Sequence, residues 1–532
     1  MKKRFFSLFL IALLLMGCVA NQNNDNYVPT GDAILMEGQD PEDLVEEEVS
    51  QDLTLAYYPD RSMNPLIGNN ITNRVLFSLI YQGLFATDSH NNTYPILCSH
   101  YEKTADNRTI TVYLEPNATF SDGTRVTAQD VLASYEAAEK SDYYKGRFVH
   151  IISKELVGSD AIRFQTEVPY ENVALLLDIP IVKASEVDAD FPLGTGPYFF
   201  QQNTNSYSLV RVGSWWCGKA KVPARANVIS LMVGASQTQI RDAFEFENLS
   251  LACANPMTDS FAEYQCDYEL WNVENGMFMY LCFNVQYSEF FKTDDHTLRQ
   301  AMTYAIDREY INDTFYHGLC QPTTLPTSPG SPYYNKSLAA KYEHDDMKFI
   351  DAIGGLKLPE DKNHEQVKLK LLVNCDDSAR LRTARYIAQH LTELGIDTGV
   401  LEYGGSTSPT FEEVIQAGTY DMYLGQTKLP PTYELTAFFR PWGTLRWWGI
   451  TDKTLYNMSN ESLANEGNYY NLNQMVADDA KIVPILFGTY SIYAERGQLL
   501  DLAPSRDNVF FYTLGKTMES ARVSESKPDA EG

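Results

Sequence analysis

A few segments of the chain hold residue types that could do chemistry, but their spacing misses the motifs that such chemistry requires. Gly515-Lys516-Thr517 ends like a phosphate-binding loop, yet Phe510 stands where the first glycine would have to be. The eight histidines form no HExxH pair, and no GxSxG segment supplies a serine nucleophile. A carboxylate pair, as in glycoside hydrolases, stays open among 70 acidic residues. The chain is therefore predicted to be no enzyme and to hold neither a cofactor nor a dedicated metal site.

The N-terminus carries the most specific local pattern in the chain. Lys2, Lys3 and Arg4 precede an apolar run at 5–16, which has the length of a signal-peptide core and is shorter than a bilayer span. The run ends in Leu15-Met16-Gly17-Cys18, which resembles a bacterial lipobox. This resemblance implies a signal peptide at 1–17 and a lipid on Cys18; a secretory signal without lipidation is the alternative.

Composition and charge restrict what can follow. Residues 18–50 are rich first in Asn and Gln and then in acids, which predicts a flexible acidic tether. The total of 532 residues, 44% of them hydrophobic, predicts two or three domains with large cores. The formal net charge of −28 argues against a nucleic-acid partner because phosphates would be repelled. With Cys18 lipidated, seven cysteines remain, so not all of them could pair within the chain.

The stretch 120–139 predicts a turn that leads into a capped helix. Ser121-Asp122-Gly123 is a tight-turn signal, because glycine accepts the positive φ that such a turn requires. Thr127 and Asp130 are spaced to cap the first turn of a helix. We interpret these residues as structural.

Periodic apolar residues predict the remaining scaffold. Residues 52–57 alternate like a strand, and 72–83 should form a helix closed by Gly83. A single helix is predicted at 298–308. Residues 367–402 form a strand-helix-strand pattern, which predicts a parallel pair of strands in the sheet.

Several of these stretches together, in their order and spacing over roughly 52–515, resemble the family 5 extracellular solute-binding proteins. This family comprises the oligopeptide-, dipeptide- and nickel-binding receptors of bacterial ABC importers. The matching segments are Met63-Asn64-Pro65, Leu79-Ile80-Tyr81-Gln82-Gly83-Leu84, Phe120-Ser121-Asp122-Gly123-Thr124, Thr127-Ala128-Gln129-Asp130-Val131, Gly194-Thr195-Gly196-Pro197-Tyr198, Tyr280-Leu281-Cys282-Phe283-Asn284 and Leu298-Arg299-Gln300-Ala301-Met302 through Ala305-Ile306-Asp307-Arg308.

The resemblance implies an α/β fold: a two-lobed, periplasmic-binding-protein-like clamshell of type II with mixed sheets and an extra subdomain. Lobe I would comprise 52–283 plus 484–515, with the subdomain at about 65–175. Lobe II would comprise 284–483, and 516–532 would be a C-terminal tail. The chain would then pass between lobes near Phe283 and near Pro484.

The resemblance also implies a function and its partners. The protein would be a monomeric receptor, lipid-anchored at the extracellular face of the cell membrane. It would capture a peptide or similar small organic solute between its lobes and deliver it to ABC permease subunits. A transport-independent solute sensor or scavenger, a nickel- or haem-binding receptor and a hydrolase are the alternatives.

The candidate cleft residues lie at strand ends, where ligands of α/β sheets commonly bind, at the expected lobe crossing, and in an aromatic region with several tryptophans. They are Met63, Asn64, Tyr280, Asn284, Gln426, Thr427 and Trp442.

One departure from the family concerns peptide recognition. In peptide-binding members, an Asp shortly after the strand that corresponds to 420–424 pairs with the α-amino group of the ligand. Residues 425–431 of this chain contain no Asp, and Glu434 is the nearest acid. Because a buried ammonium group requires an anionic partner, the departure argues against recognition of ordinary free peptide N-termini. Modified peptides, sugars and other organic solutes stay open.

Overall fold

One mixed sheet of eleven strands organises the protein. The structure is a computed structural model that describes residues 52–518 except 205, 235, 259–260, 262, 293–295 and 441–451. The described strands are β1 (Leu53–Tyr57), β2 (Phe85–Thr87), β3 (Thr93–Pro95), β4 (Cys98–Lys103), β5 (Thr109–Leu114), β6 (Ile151–Val157), β7 (Ala161–Thr166), β8 (Tyr198–Gln202), β9 (Tyr207–Arg211), β10 (Val228–Val233), β11 (Leu251–Ala254), β12 (Glu269–Phe283), β13 (Gln321–Pro322), β14 (Leu369–Asn374), β15 (Thr398–Tyr403), β16 (Met422–Lys428) and β17 (Ile482–Ala494).

Helices cover the sheet and connect its strands. The described helices are α1 (Ile71–Ile80), α2 (Ala128–Lys140), α3 (Gln237–Glu245), α4 (Thr297–Met302), α5 (Arg308–Phe315), α6 (Lys336–Ala339), α7 (Asp346–Ile353), α8 (Ser378–Glu393), α9 (Phe411–Ala417), α10 (Thr436–Phe439), α11 (Lys453–Ala464) and α12 (Tyr469–Asp479). None of the helices in these described ranges has the length and apolar character needed to cross a bilayer. All seven cysteines in the described part of the chain are free thiols.

The strand order of the large sheet is β15-β14-β16-β12-β17-β11-β1-β10-β9-β8, and β13 pairs with β17. We call the half built on β1 and β8–β11 lobe I, and the half built on β14–β16 lobe II. Leu55 and Leu231 belong to the core of lobe I, whereas Leu371 and Leu424 belong to a separate core in lobe II. The predicted strand-helix-strand unit is confirmed, because β14, α8 and β15 follow one another and the two strands pair in parallel.

Two long strands, β12 and β17, run through both lobes. Residues 269–274 of β12 pair with the end of β17, beside β11 of lobe I, whereas 278–282 pair with its beginning, beside β16 of lobe II. The register shifts between Glu274 and Phe278. The change of strand partners along β12 thus lies near Gly276, earlier in the chain than Phe283, and the lobe boundaries stay a prediction. Phe278 and its neighbours form an apolar run because they are buried in a hydrophobic cluster of lobe II.

An antiparallel sheet of four strands, β4-β5-β7-β6, lies inside the segment that the sequence assigns to a subdomain. Helix α2 precedes β6 and buries Val131 and Tyr135. The predicted turn and cap are confirmed. Gly123 has φ +83°, and the Asp130 carboxylate accepts hydrogen bonds from the Thr127 backbone N–H at 2.8 Å and hydroxyl at 2.7 Å.

Two local predictions are wrong. Gly83 does not end a helix, since α1 stops at Ile80; a Cβ on Gly83 would lie 2.8 Å from the Phe85 carbonyl oxygen and 2.9 Å from that of Ile179, so close backbone approach explains this glycine. The predicted helix at 298–308 is two helices, α4 and α5. The side chain of Asp307 accepts a hydrogen bond from the Tyr310 N–H and thereby caps the second helix.

Candidate functional site

A cavity of about 310 Å³ opens at the carboxyl end of β16, where segments from distant parts of the chain meet. Its wall combines the turn around Gly146 in the subdomain, Met277 of β12, the end of β16 and Arg506 near the C-terminus. The lining residues are Asp142, Tyr143, Lys145, Gly146, Arg147, Met277, Gln426, Thr427, Lys428, Leu429, Pro430, Pro431 and Arg506.

Local sequence explains why β16 ends at this wall. Pro430 and Pro431 have no backbone N–H and cannot continue the ladder. The last backbone bond to β12 joins the Leu429 N–H to the Gly276 carbonyl at 2.9 Å. The final side chains of β16 are therefore held at the point where the chain passes between the lobes.

Of the predicted cleft residues, Gln426 and Thr427 lie on this cavity. Both are partly exposed, and they pair in register with Met279 and Phe278 of β12. Among the described residues, the Gln426 amide donates only to a weak acceptor, the Met257 sulfur at 3.7 Å. Its polar group is thus placed to hydrogen-bond a solute; a ligand contact stays a prediction.

Met63 and Asn64 lie elsewhere and have buried side chains. The Asn64 amide donates to the carbonyls of Val187 and Ala189 at 2.8 and 3.0 Å, and its oxygen accepts from Leu66 N–H at 3.0 Å. Asn64 thus joins two loops, and neither residue lines the cavity.

Tyr280 and Asn284 are buried as well. Tyr280 packs in an aromatic core against Phe278 and Phe438. The Asn284 amide donates to the carbonyls of Gly418 and Tyr420 at 3.1 and 2.8 Å. These two side chains thus stabilise the interior of lobe II. A residue near a lobe crossing can still direct its side chain into the core instead of the cleft. Trp442 lies outside the described residues.

A buried carboxylate, Asp507, anchors the cationic side of the cavity. Arg147 forms an ion pair with it, and Arg74 lies 3.5 Å from its other oxygen. The Tyr143 hydroxyl donates to Asp507 at 2.6 Å. Burial alone would raise the pKa of Asp507, but the charges of Arg147, Lys428 and Arg74 hold that pKa well below its usual range.

Arg506 forms the opposite side of the cavity and is tied to Glu274. Its guanidinium lies 2.9 and 3.2 Å from the two oxygens of Glu274, which also accepts from the Tyr433 hydroxyl at 2.7 Å. Burial alone would lower the pKa of Arg506, yet the charge of Glu274 raises it. The Arg506 Nε is buried and has no hydrogen-bond acceptor among the described residues.

Lys428 is the most unusual group on the wall. Its Nζ is buried, has no acceptor in the described part of the chain, and lies 3.1 Å from the centroid of the Tyr143 ring. Burial lowers the pKa of Lys428 well below its usual value; Arg74 and Arg506 lower it further, and Asp507 only partly opposes them. Sequence analysis missed Lys428, although a lysine beside two predicted contact residues and an apolar Leu-Pro-Pro segment was the available signal.

The arrangement can bind a polar solute. The wall supplies cations, the Gln426 amide and the Thr427 hydroxyl, whereas its described lining residues include no His, Ser or Cys.

Contacts beside the cavity join the subdomain to lobe II. His150 Nε2 lies 2.9 Å from the Thr436 hydroxyl and 3.5 Å from Glu434, and its Nδ1 lies 3.2 Å from Glu167. The hydroxyls of Tyr170 and Thr432 are 2.8 Å apart. Glu434, the nearest acid to the predicted peptide-recognition segment, is 3% exposed and is already engaged in these contacts.

A second cluster could hold a metal ion, away from the cavity. The ligand atoms of His344, Asp346 and His390 lie within 4.8 Å of one another, and both His Nε2 atoms are 2.9 Å from one Asp346 oxygen. Burial alone would raise the pKa of Asp346, but the hydrogen bonds from the two histidines lower it. These hydrogen bonds account for the arrangement without an ion. Local spacing motifs could not reveal the cluster because His344 and His390 are distant in sequence.

The sequence of this chain is similar to that of known proteins. The family model described as "Bacterial extracellular solute-binding proteins, family 5 Middle" matches residues 92–447. The glutathione-binding protein of Salmonella typhi is 23% identical over 295 residues, covering 51% of this chain and 55% of the relative. The nickel-binding protein of Staphylococcus aureus is 24% identical over 299 residues, covering 55% of this chain and 58% of the relative. The chain thus spans about half the length of these curated relatives.

Solved structures are similar over most of the described chain. The structure of a nickel ABC transporter protein from Bacillus halodurans has a TM-score of 0.69 at 17% identity, covering 87% of this chain and 99% of that one. The oligopeptide-binding protein of Bacillus subtilis, in complex with a nonapeptide, has a TM-score of 0.60 at 19% identity, covering 88% and 100%. These similarities confirm the predicted two-lobed α/β fold with mixed sheets.

Proposed function

The chain belongs to the family 5 bacterial extracellular solute-binding proteins, and we propose that it is a receptor that captures a small organic solute or peptide between its lobes. In this proposal it delivers that solute to the permease subunits of an ABC importer. A lipid on Cys18 holds it at the outer face of the cell membrane. The protein acts as a monomer and catalyses no reaction.

One observation carries the receptor proposal: the cavity wall is shared between parts of the chain that lie on both sides of the lobe crossing. Gly146 and Arg147 come from the subdomain, whereas Gln426 and Thr427 come from lobe II. A solute that touches both sides favours the closed arrangement, since a ligand shifts a conformational equilibrium by its difference in affinity for the two states.

Ordinary peptides are expected to be poor ligands. Lys428 is the last residue of β16, in the region where a free α-amino group would need a carboxylate, and Glu434 is committed to His150 and Thr436. Two ammonium groups in one buried site repel each other. Di- to pentapeptides with free N-termini should therefore bind weakly or not at all.

A thermal-shift screen over peptides, sugars, organic acids and metal complexes tests the receptor proposal, with calorimetry on the hits. A cognate solute at a hundredfold excess over its dissociation constant should raise the free energy of unfolding by about 2.7 kcal/mol. Thr427→Trp places an indole in the cavity and should abolish that shift. The matched variant Thr454→Trp, on an exposed helix surface, should keep it. If no class of solute stabilises the folded protein, the receptor proposal fails.

A further inference from the structure

The cavity brings together more basic side chains than the carboxylates around it can pair. Five cationic side chains lie on its wall or directly behind it, against three carboxylates. The cations are Arg74, Lys145, Arg147, Lys428 and Arg506, and the carboxylates are Asp142, Glu274 and Asp507. Each of these three carboxylates already forms an ion pair, so two of the five basic side chains have no ion-paired carboxylate of their own among the described residues.

Most of this surplus is buried. Lys145 and Asp142 pair at the exposed rim, at 2.6 Å, and do not contribute to it. Arg74 and Arg147 share the single carboxylate of Asp507, and both have side chains about 95% buried. Lys428 is left without a carboxylate within ion-pair distance in the described residues. A buried cation without an anionic partner is strongly unfavourable, so Lys428 favours its neutral form until a negatively charged group enters the cavity.

The unpaired donors belong to residues that line the cavity. Lys428 Nζ and Arg506 Nε both lack an acceptor among the described residues, and both side chains line its wall. The Tyr143 ring, 3.1 Å from Lys428 Nζ, offsets part of the charge but offers that ammonium no hydrogen-bond acceptor. Since the molecule as a whole carries a formal net charge of −28, the positive wall is a local feature and not a reflection of the overall composition.

We infer that the captured solute is a small organic anion, whose carboxylate pairs with Lys428 while Arg506 and Arg147 add positive charge. This inference rests on the proposed receptor function and names the class of ligand at the same site. The rest of the solute faces Gln426 and Thr427, which offer an amide and a hydroxyl. A volume of about 310 Å³ is at the small end of ligand cavities and suits a compact acid.

The inference has a consequence for protonation. The pKa of Lys428 is depressed by burial and by Arg74, Arg506 and Arg147, with Asp507 opposing and the neutral Tyr143 ring in contact. An incoming carboxylate raises that pKa, so binding takes up a proton wherever the free amine is not fully charged. The affinity for the acid therefore falls as pH rises through the pKa that Lys428 has in the ligand-free protein.

Calorimetry with acids and their neutral analogues tests the inference. The probes are succinate and glutarate beside their diamides, gluconate beside sorbitol, and short N-acetylated peptides beside their C-terminal amides. At least one acid should bind about thirtyfold or more tightly than its neutral analogue, the loss expected when a buried charge loses its partner. The three arms distinguish free dicarboxylic acids, sugar acids and peptide carboxylates as the source of the anion.

Variants locate the charge. Lys428→Met should weaken binding of that acid by about thirtyfold or more. Lys348→Met should leave it unchanged, because Lys348 also lies near an aromatic ring, Tyr304, but outside the cavity. Should Lys428→Met fail to fold, the unmodified protein still provides a test: its binding enthalpy should vary with the ionisation enthalpy of the buffer, as proton uptake requires.

The outcomes separate the two proposals. Neutral analogues that bind as tightly as the acids would overturn the anion inference and leave the receptor function standing. Acid binding without proton uptake and without dependence on Lys428 would likewise overturn the assigned site. Failure of acids, amides, sugars and peptides alike to bind the folded protein would overturn both.

Discussion

At the scale of single residues, His150 and Glu434 form a buried pair that joins the subdomain to lobe II. Burial alone would lower the pKa of His150, but the hydrogen bond and charge of Glu434, together with Glu167, raise it above 6.5. Burial alone would raise the pKa of Glu434, yet its bonds to His150 and Thr436 lower it below 4.5. Each group therefore stabilises the charged form of the other.

This pair predicts a stability plateau in pH. The contribution of His150 is fully present below about pH 6.5 and is lost as pH rises through its raised pKa. The contribution of Glu434 is present above about pH 4.5 and is lost as pH falls through its lowered pKa. His150→Asn should lower the free energy of unfolding by about 3 kcal/mol between these limits, because it leaves Glu434 buried without its cation.

Chemical denaturation across pH 4 to 9, roughly the range over which both groups titrate, measures this effect. The difference between wild type and His150→Asn should shrink above the plateau. His90→Asn, in an exposed turn, is the matched control and should change little at any pH. A difference that does not depend on pH would contradict the ion-pair account.

At the scale of elements, β12 and β17 decide where the lobes meet. Both strands carry a glycine at the passage, Gly276 and Gly488, and both glycines are crowded. Gly276 has φ +82°, and a Cβ there would lie 2.6 Å from the Arg506 guanidinium and 3.0 Å from the Leu429 carbonyl oxygen. The backbone at the passage is thus pressed directly against the cavity wall.

We expect Gly276→Ala to damage both stability and binding. A side chain at a positive φ costs about 1–3 kcal/mol, and the methyl group would displace Arg506 from Glu274. Equilibrium unfolding should show the lower free energy of unfolding. Calorimetry should show weaker binding of any acid that the calorimetric screen identifies. Gly355→Ala, with open space around its Cβ and an ordinary φ, should stay within about 0.5 kcal/mol. Unchanged affinity in a folded Gly276→Ala protein would argue against Arg506 as part of the site.

At the scale of the whole molecule, the protein is strongly acidic, but basic side chains line its cavity. The charge of −28 keeps the surface soluble and repels other anionic polymers, while the cavity offers a small anion a local partner. A receptor of the proposed kind would reach an importer by diffusion unless an anchor held it at the membrane. The proposed lipid on Cys18 would supply that anchor, with 18–50 as the leash.

The anchor is tested by Cys18→Ser, which removes the thiol that would carry diacylglycerol. We expect the variant to move from the membrane fraction to the medium or periplasm, where fractionation and immunoblotting would detect it. Cys375→Ser changes a free, half-buried thiol in the body of the protein and should leave the distribution unchanged. Full membrane retention of Cys18→Ser would contradict the lipid anchor.

The sequence determined much of the scaffold because the responsible interactions are local. The turn at Gly123, the cap formed by Thr127 and Asp130, and the strand-helix-strand unit at 367–402 depend on neighbouring residues and on apolar period, and all three are confirmed. The ordered series of motifs also led to the correct family. The break between α4 and α5 was missed because Asp307 could equally extend a helix or cap the next one.

The candidate site was predicted only in part, because burial and long-range charge decide it. Gln426 and Thr427 lie on the cavity because the sheet topology leaves the end of their strand accessible. Asn64 and Asn284 are buried instead, because backbone carbonyls of nearby segments accept hydrogen bonds from their amides. The sequence shows a lysine at position 428, but only the tertiary structure shows that its ammonium group is buried without an acceptor among the described residues.

The sequence by itself thus determined the family, the order of elements and the absence of an Asp from 425–431. Only the tertiary structure brought Arg147 close to Lys428 and Arg506, which lie far away in the sequence. It also paired Arg147 and Arg506 with carboxylates and left Lys428 without one in the described residues. The physical reason is that the ionisation and pairing of a buried group depend on every charge within a few ångströms, and folding alone sets those distances.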